Sequence, residues 1–239
     1  MLLFLPGMSF VFIILLAVLP AAFLMRYIYR QDAIEKEPRG LLVRVTVFGV
    51  IAAFVSMLLE SLGQAVLGLT RIDPHSRLYT ILLAFLVVAV VEEGSKYFLM
   101  HLQVWKHPAF NFRFDAIVYS VFASLGFAAM ENIMYVFGFG LQVVLARALL
   151  SIPAHMSFAV VFGIFYGRAR GYANCGQQGA AGANILFGFL MAVLFHGFYD
   201  SCAMIGSTLS MTLFTLFMVV IYITIFLVVR REARTDEPV

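Results

Sequence analysis

YTILLAFLVVAVVEEGSKYFLM, from Tyr79 to Met100, decides the fold. It opens on a nearly continuous apolar run and then carries Glu92, Glu93 and Lys96. A helix of about 20 predominantly apolar residues crosses a bilayer. An ionised side chain at the bilayer centre costs roughly 2.5 to 3.5 kcal/mol, so a membrane helix holding three of them must turn them toward protein or water. Such residues are functional candidates on that ground alone.

The rest of the chain has the same character. Of its 239 residues, 63% are hydrophobic and 12% charged, whereas soluble domains carry about a quarter charged residues. Stretches long enough to span recur at 8–28, 41–67, 79–104, 114–138, 142–167, 182–205 and 208–229. This predicts an all-α, polytopic membrane bundle of about seven transmembrane helices. Residues 1–239 read as a single integral-membrane domain with a short cytoplasmic tail at 230–239. No Lys or Arg precedes the first span and the span runs into Arg26, so it reads as a retained helix and not a cleaved signal.

Basic residues in short loops set orientation. With the N-terminus outside, the cytoplasmic segments collect Arg26, Arg30, Lys36, Arg39, Arg44, Lys106, Arg113, Arg168, Arg170, Arg230, Arg231 and Arg234, leaving Arg71, Arg77 and Arg147 outside. The expected topology is N-out/C-in, and the net charge of +3 then reports contact with the lipid bilayer and no nucleic-acid binding. Cys175 and Cys202 fall on opposite sides and form neither a disulfide nor a metal cluster. The first loop, Tyr29 to Gly40, mixes both signs of charge and suits a short interfacial segment; the Gly-rich stretch Gly171 to Asn184 reads as a mobile loop. Gly163 and Gly167 have the spacing that lets helices approach closely.

Beyond the third helix, the deep polar residues are Glu60, Glu131, Asn132, His155, His196 and Asp200. Counting along each helix at about 1.5 Å per residue places them with Glu92 and Glu93 in the middle-to-outer half of the membrane. Glu92 and Lys96, Glu131 and Tyr135, and His196 and Asp200 are each four apart, which puts both members on one helix face. Glu92, Glu93 and Glu131 outnumber Lys96, so a carboxylate holds a proton, a histidine is charged, or a cation binds. Glu60 reads as a structural partner for Arg147 or an interface residue, Asp115 as a cap for its helix, and His75, His101 and His107 as loop or interface residues without a partner pattern. His155, close after Pro153, could instead bond backbone freed at a kink.

At these residues the chain resembles a known family. EEGSK (Glu92 to Lys96), GFAAMENIMY (Gly126 to Tyr135), PAHMSF (Pro153 to Phe158) and FHGFYD (Phe195 to Asp200), in this order, are similar to the PrsW family of intramembrane proteases, as is the D-x-x-x-K-E-P stretch from Asp32 to Pro38. That family is related to the CAAX-processing and bacteriocin-immunity group, with its EExxxR, FxxxH and HxxxN pattern. This chain departs from the wider pattern at Lys96, Glu131 and Asp200, as the PrsW family does. The resemblance implies an endopeptidase of the bacterial plasma membrane that cleaves a single-pass membrane protein, typically an anti-sigma factor in a stress response, near its extracytoplasmic face.

Peptide hydrolysis needs an activated water, a donor for the developing oxyanion and an acid for the leaving amine. Glu92 and Glu93 are expected to activate water, with Lys96 holding their charge and orientation. Glu131, Asn132 and Tyr135 would position substrate, and Asp200 would orient His196. His155 and His196 are either oxyanion donors in a metal-free glutamate protease or, with Glu93, ligands of a zinc ion. No HExxH, GxGD or GxSG is present, which removes other intramembrane protease designs. Two rival readings are a proton-coupled transporter, which would stagger carboxylates toward both faces, and an inert relative that only binds a membrane partner.

Overall fold

Each of the seven expected spans is a helix in the computed structural model, which describes residues 10–239. Met8 and Ser9, where the first span was expected to begin, lie outside the described residues. The helices are α1 (Phe10–Gln31), α2 (Arg39–Gly68), α3 (Arg77–Val104), α4 (Arg113–Phe139), α5 (Gln142–Asn174), α6 (Gln178–Ile205) and α7 (Thr208–Arg234). Local chemistry sets their ends. Ser76 caps α3 by accepting from the Tyr79 N–H, and Ser207 caps α7 by accepting from the Ser210 N–H. Asp115 accepts from the Asn111 and Phe112 N–H groups at the start of α4, as its capping role predicts. Gly206, at φ +61°, ends α6 in the left-handed conformation that favours glycine.

α4 is the centre of the bundle. Of its most apolar window 78% is buried, against 28% for α1 and α7. It packs chiefly against α2 and α5, and glycines let the backbones meet. A methyl group added at Gly163 would come within 2.7 Å of Ile117 Cα, and one at Gly167 within 2.6 Å of the Arg113 carbonyl oxygen. Both glycines of the expected contact motif are therefore used against α4.

Two spans are not straight α-helices. α3 contains a π-helical stretch at Leu83–Ala89, immediately before the segment that bears the paired glutamates, and α5 contains one at Arg147–Ser151, just before Pro153. Such turns absorb an extra residue and frequently mark functional sites. Pro153 has no N–H to give the preceding turn. The Tyr222 hydroxyl from α7 donates to the carbonyls of Leu149 and Leu150, at 3.0 and 2.8 Å, and satisfies the freed acceptors.

Two connecting segments differ from expectation. Gly171 to Asn184 is mostly helix: α5 runs to Asn174, α6 starts at Gln178, and a short turn with Gly176 at φ +77° joins them. Alanines at 173, 180, 181 and 183 favour helix strongly enough to offset the glycines. The first loop does not simply lie at an interface. Asp32 and Glu37 are buried, Tyr119 of α4 donates to Glu37, and Lys36 donates to the carbonyls of Tyr29 and Asp32. At the same end, Thr235 to Val239 folds back on α4. The Arg113 N–H donates to the Glu237 carbonyl, the Phe114 N–H to the Asp236 carboxylate, and the Val239 N–H to the Asn111 carbonyl. Cys175 and Cys202 are both free.

Candidate active site

The second half of α3 turns Glu92, Glu93 and Lys96 into the bundle, where all three are buried. Lys96 Nζ lies 2.6 Å from Glu93 Oε1 and 3.6 Å from Glu92 Oε2. Its ammonium also sits 4.4 Å from the centre of the Phe127 ring on α4, so its charge is covered by an aromatic face.

α5 and α6 add the histidines. His155 Nδ1 is 3.3 Å from Lys96 Nζ, and its Nε2 is 3.1 Å from Glu131 Oε2 on α4. The ring thus points into the site and does not bond backbone at the proline; Tyr222 does that. His196 Nδ1 is 2.7 Å from Glu93 Oε1, while its Nε2 is 3.2 Å from Asp200 Oδ2 and 3.7 Å from Glu92 Oε2. A carboxylate at each ring nitrogen is an arrangement that can pass a proton through the imidazole. Phe158 stacks on His196 at 5.2 Å between ring centres and limits its rotation.

Glu92, Glu93, His155 and His196 each offer one ligand atom, and these atoms lie within 4.8 Å of one another. Glu92 Oε2 and Glu93 Oε2 are buried without a hydrogen-bond partner. Two imidazoles and two carboxylates with unused oxygens are a donor set suited to zinc. The site opens into a cavity of about 290 Å³ lined by Glu92, Glu131, His155, His196 and Asp200, and by Tyr135 and Tyr199.

The structure separates two residues expected to act together. Glu131 and Tyr135 line the cavity, but Asn132 points the other way. Its amide donates to the Ala17 carbonyl at 2.6 Å and accepts from Arg147 Nε at 3.1 Å, which ties α1 to α4 and holds the side chain fully buried away from the cavity. The expected pairing of Glu60 with Arg147 is not made. Arg147 Nη2 lies 2.8 Å from Glu131 Oε2, and its guanidinium carbon 3.8 Å from the centre of the Tyr135 ring. His101 also has a partner, the Tyr166 hydroxyl at 2.9 Å.

Arg147 is the site residue that spacing alone does not reveal. In a straight α-helix, residues 147 and 155 stand about 80° apart around the axis. The intervening π turn absorbs one residue and brings that angle close to about 20°, so Arg147 and His155 share a face. Pro153, six residues after Arg147, was the available signal that the helix is irregular here.

Comparison with known proteins gives the family. Residues 37–229 match the model of the PrsW family of intramembrane metalloproteases. The chain is 34% identical over 183 residues to Protease PrsW of Geobacillus kaustophilus, covering 77% of this chain and 76% of the relative. It is 31% identical over 212 residues to Protease PrsW of Clostridioides difficile, covering 87% and 86%, and 31% identical over 188 residues to that of Bacillus subtilis, covering 79% and 81%. No solved structure gives a significant match. Seven membrane-length helices and these bacterial relatives make it a multi-pass protein of the cell membrane, and the chain belongs to the PrsW family of intramembrane proteases.

Proposed function

We propose that the protein is an endopeptidase that cleaves a single-pass membrane protein, of the anti-sigma-factor kind, near its extracytoplasmic face. One observation carries the reading: Glu92, Glu93, His155 and His196, from three helices, converge within 4.8 Å beside a polar cavity. With the N-terminus outside, as the distribution of basic residues supports, this cavity lies toward the extracytoplasmic end, where α2, α4 and α6 finish. The chain acts as a single membrane unit, with residues 230–239 at the cytoplasmic side.

In this reading one of the paired glutamates is the general base that takes a proton from the attacking water. Lys96 holds Glu93 in place through the 2.6 Å ion pair. Asp200 orients His196 through its Nε2, and the base glutamate passes the proton it has taken on to the leaving amine. Arg147 and His155 hold Glu131 between them at the cavity wall, where it faces the substrate. His155, His196 and one of the paired glutamates would hold a divalent cation, zinc by donor type, leaving the other glutamate as the base. Bound there, zinc supplies a polarised water of lowered pKa.

The test is membrane proteomics of cells carrying wild type or Glu93→Gln, reading extracytoplasmic peptides of single-pass proteins under envelope stress. Accumulation of one full-length single-pass protein in the variant, with loss of a new N-terminus, supports proteolysis and identifies the substrate. No change in any membrane protein, with the variant present at normal level, moves the function to transport or binding.

A further inference from the structure

The cavity holds one carboxylate that the protein itself does not match. Glu60 sits on the face of α2 that also brings Ala53, Ser56 and Gln64 to the cavity, at the three- and four-residue spacing of one helix face. The other cavity acids have partners: Glu92 faces Lys96 and His196, Glu131 faces Arg147 and His155, and Asp200 faces His196. Glu60 has no hydrogen bond or ion pair among the described residues, and the groups that act on it through space include Glu131, His196, Asp200, Lys96 and Glu92. The cations within that group are already engaged by other acids, and Arg147 is held by Glu131, Asn132 and Tyr135.

An unmatched acid within a membrane helix is expensive and marks function. What approaches it is the substrate. A scissile segment must leave its helix to be attacked, and its freed backbone groups then need partners at membrane depth. Glu60 lines the cavity from α2, with Gln64 one turn beyond, whereas Glu92 lines it from α3, so Glu60 and Gln64 can face a segment drawn across the cavity. The remaining walls discriminate weakly by shape: Met57, Met134 and Met204 line them, and methionine adapts to many side chains. Charge is the selective feature left.

We propose that Glu60 is a specificity-determining residue of the protease. It receives a Lys or Arg side chain of the substrate flanking the scissile bond and rejects Asp or Glu at that position. The inference rests on the proteolytic reading of the site.

The test uses the full chain in lipid nanodiscs and a set of synthetic single-spanning peptides. They are identical except for one flanking residue, set to Lys, Ala or Glu and stepped along the extracytoplasmic flank; products are read by mass spectrometry. Wild type is expected to cut the Lys peptide about tenfold or more faster than the Glu peptide at one position. Glu60→Gln equalises the two, and Glu60→Lys reverses the order. Wild-type preference retained in Glu60→Gln, or no charge preference in wild type, overturns the proposal. Should wild type cut no peptide, the proteolytic reading fails separately, and photo-crosslinking of the same peptides decides the role of Glu60. Capture of the Lys peptide over the Glu peptide by Glu93→Gln, lost when Glu60→Gln is added, supports it; equal capture overturns it.

Discussion

Glu93 and Lys96 form an ion pair 2.6 Å long in which neither side chain exposes any surface. Removing one member of such a pair strands the other and costs about 3 to 5 kcal/mol. Lys96→Met is therefore expected to lower the melting temperature of the purified protein markedly. Adding Glu93→Gln to it should recover most of the loss while cleavage stays absent. Thermal melts of the two single variants and the double variant check this, and a melt of Lys96→Met like that of wild type refutes the pairing.

The donor set predicts metal. Purified wild type should contain about one zinc ion per chain, and His155→Ala and His196→Ala should each reduce it sharply. Chelation should stop cleavage and zinc should restore it. Metal analysis alongside a cleavage assay checks this, and a metal-free wild type that still cleaves would return both histidines to the role of oxyanion donors.

Tyr222 holds the carbonyls of Leu149 and Leu150 ahead of Pro153. Tyr222→Phe leaves them without a partner, at a cost of about 1 to 3 kcal/mol. Hydrogen exchange should quicken across residues 147–155. Cleavage should fall several-fold because Arg147 loses its fixed position. Unchanged exchange in that segment would contradict the role given to the hydroxyl.

Gly163 meets α4 backbone, whereas nothing stands within 4 Å of a methyl added at Gly171. Gly163→Val should destabilise the protein by about 1 to 3 kcal/mol through overpacking. Gly171→Ala should not destabilise it. Melting temperatures of the pair separate a close helix contact from a general intolerance of glycine replacement.

Burial against α4, aided by the neighbouring Asp115 carboxylate, pushes Glu37 up from 4.5 to about 9 despite the hydrogen bond from Tyr119. The folded protein therefore holds a proton that the unfolded chain releases above its ordinary value. The stability Glu37 lends is complete below pH 4.5 and is lost as pH rises toward 9. Glu37→Gln keeps the acceptor for Tyr119 and removes the charge. It should raise the melting temperature at pH 8 and flatten its decline between pH 6 and 9; an equally steep decline would count against the buried proton.

The seven spans were legible because length and apolar content alone select membrane helices. Glu92, Glu93, His155 and His196 stood out because few polar groups survive in such helices without a task. Arg147 was not legible as part of the site. Its position near the outer end of the fifth span suggested a structural partner for Glu60, and only the π turn, which has no reliable sequence mark, swings it onto the His155 face. Asn132 was legible as a deep polar residue, but its engagement was not, since its bonds to Ala17 and Arg147 reach helices that the sequence does not place beside it. The stretch from Gly171 to Asn184 misleads because its glycines argue for a loop while its alanines, equal in number but better helix formers, decide the outcome.

The π turn at Arg147–Ser151 gives this protein a fault line that leaves its motifs intact. Losing a single residue there would restore an ordinary helix with Arg147 still on the His155 face, but losing a second would rotate Arg147 by about 100° relative to His155. Glu131 would then keep only His155 as its close partner. An alignment of relatives would show such a change as a two-position gap beside unaltered EEGSK, PAHMSF and FHGFYD blocks. Gap length in the first turns of the fifth helix thus distinguishes working members of the family from disarmed ones more sharply than the presence of the motifs does.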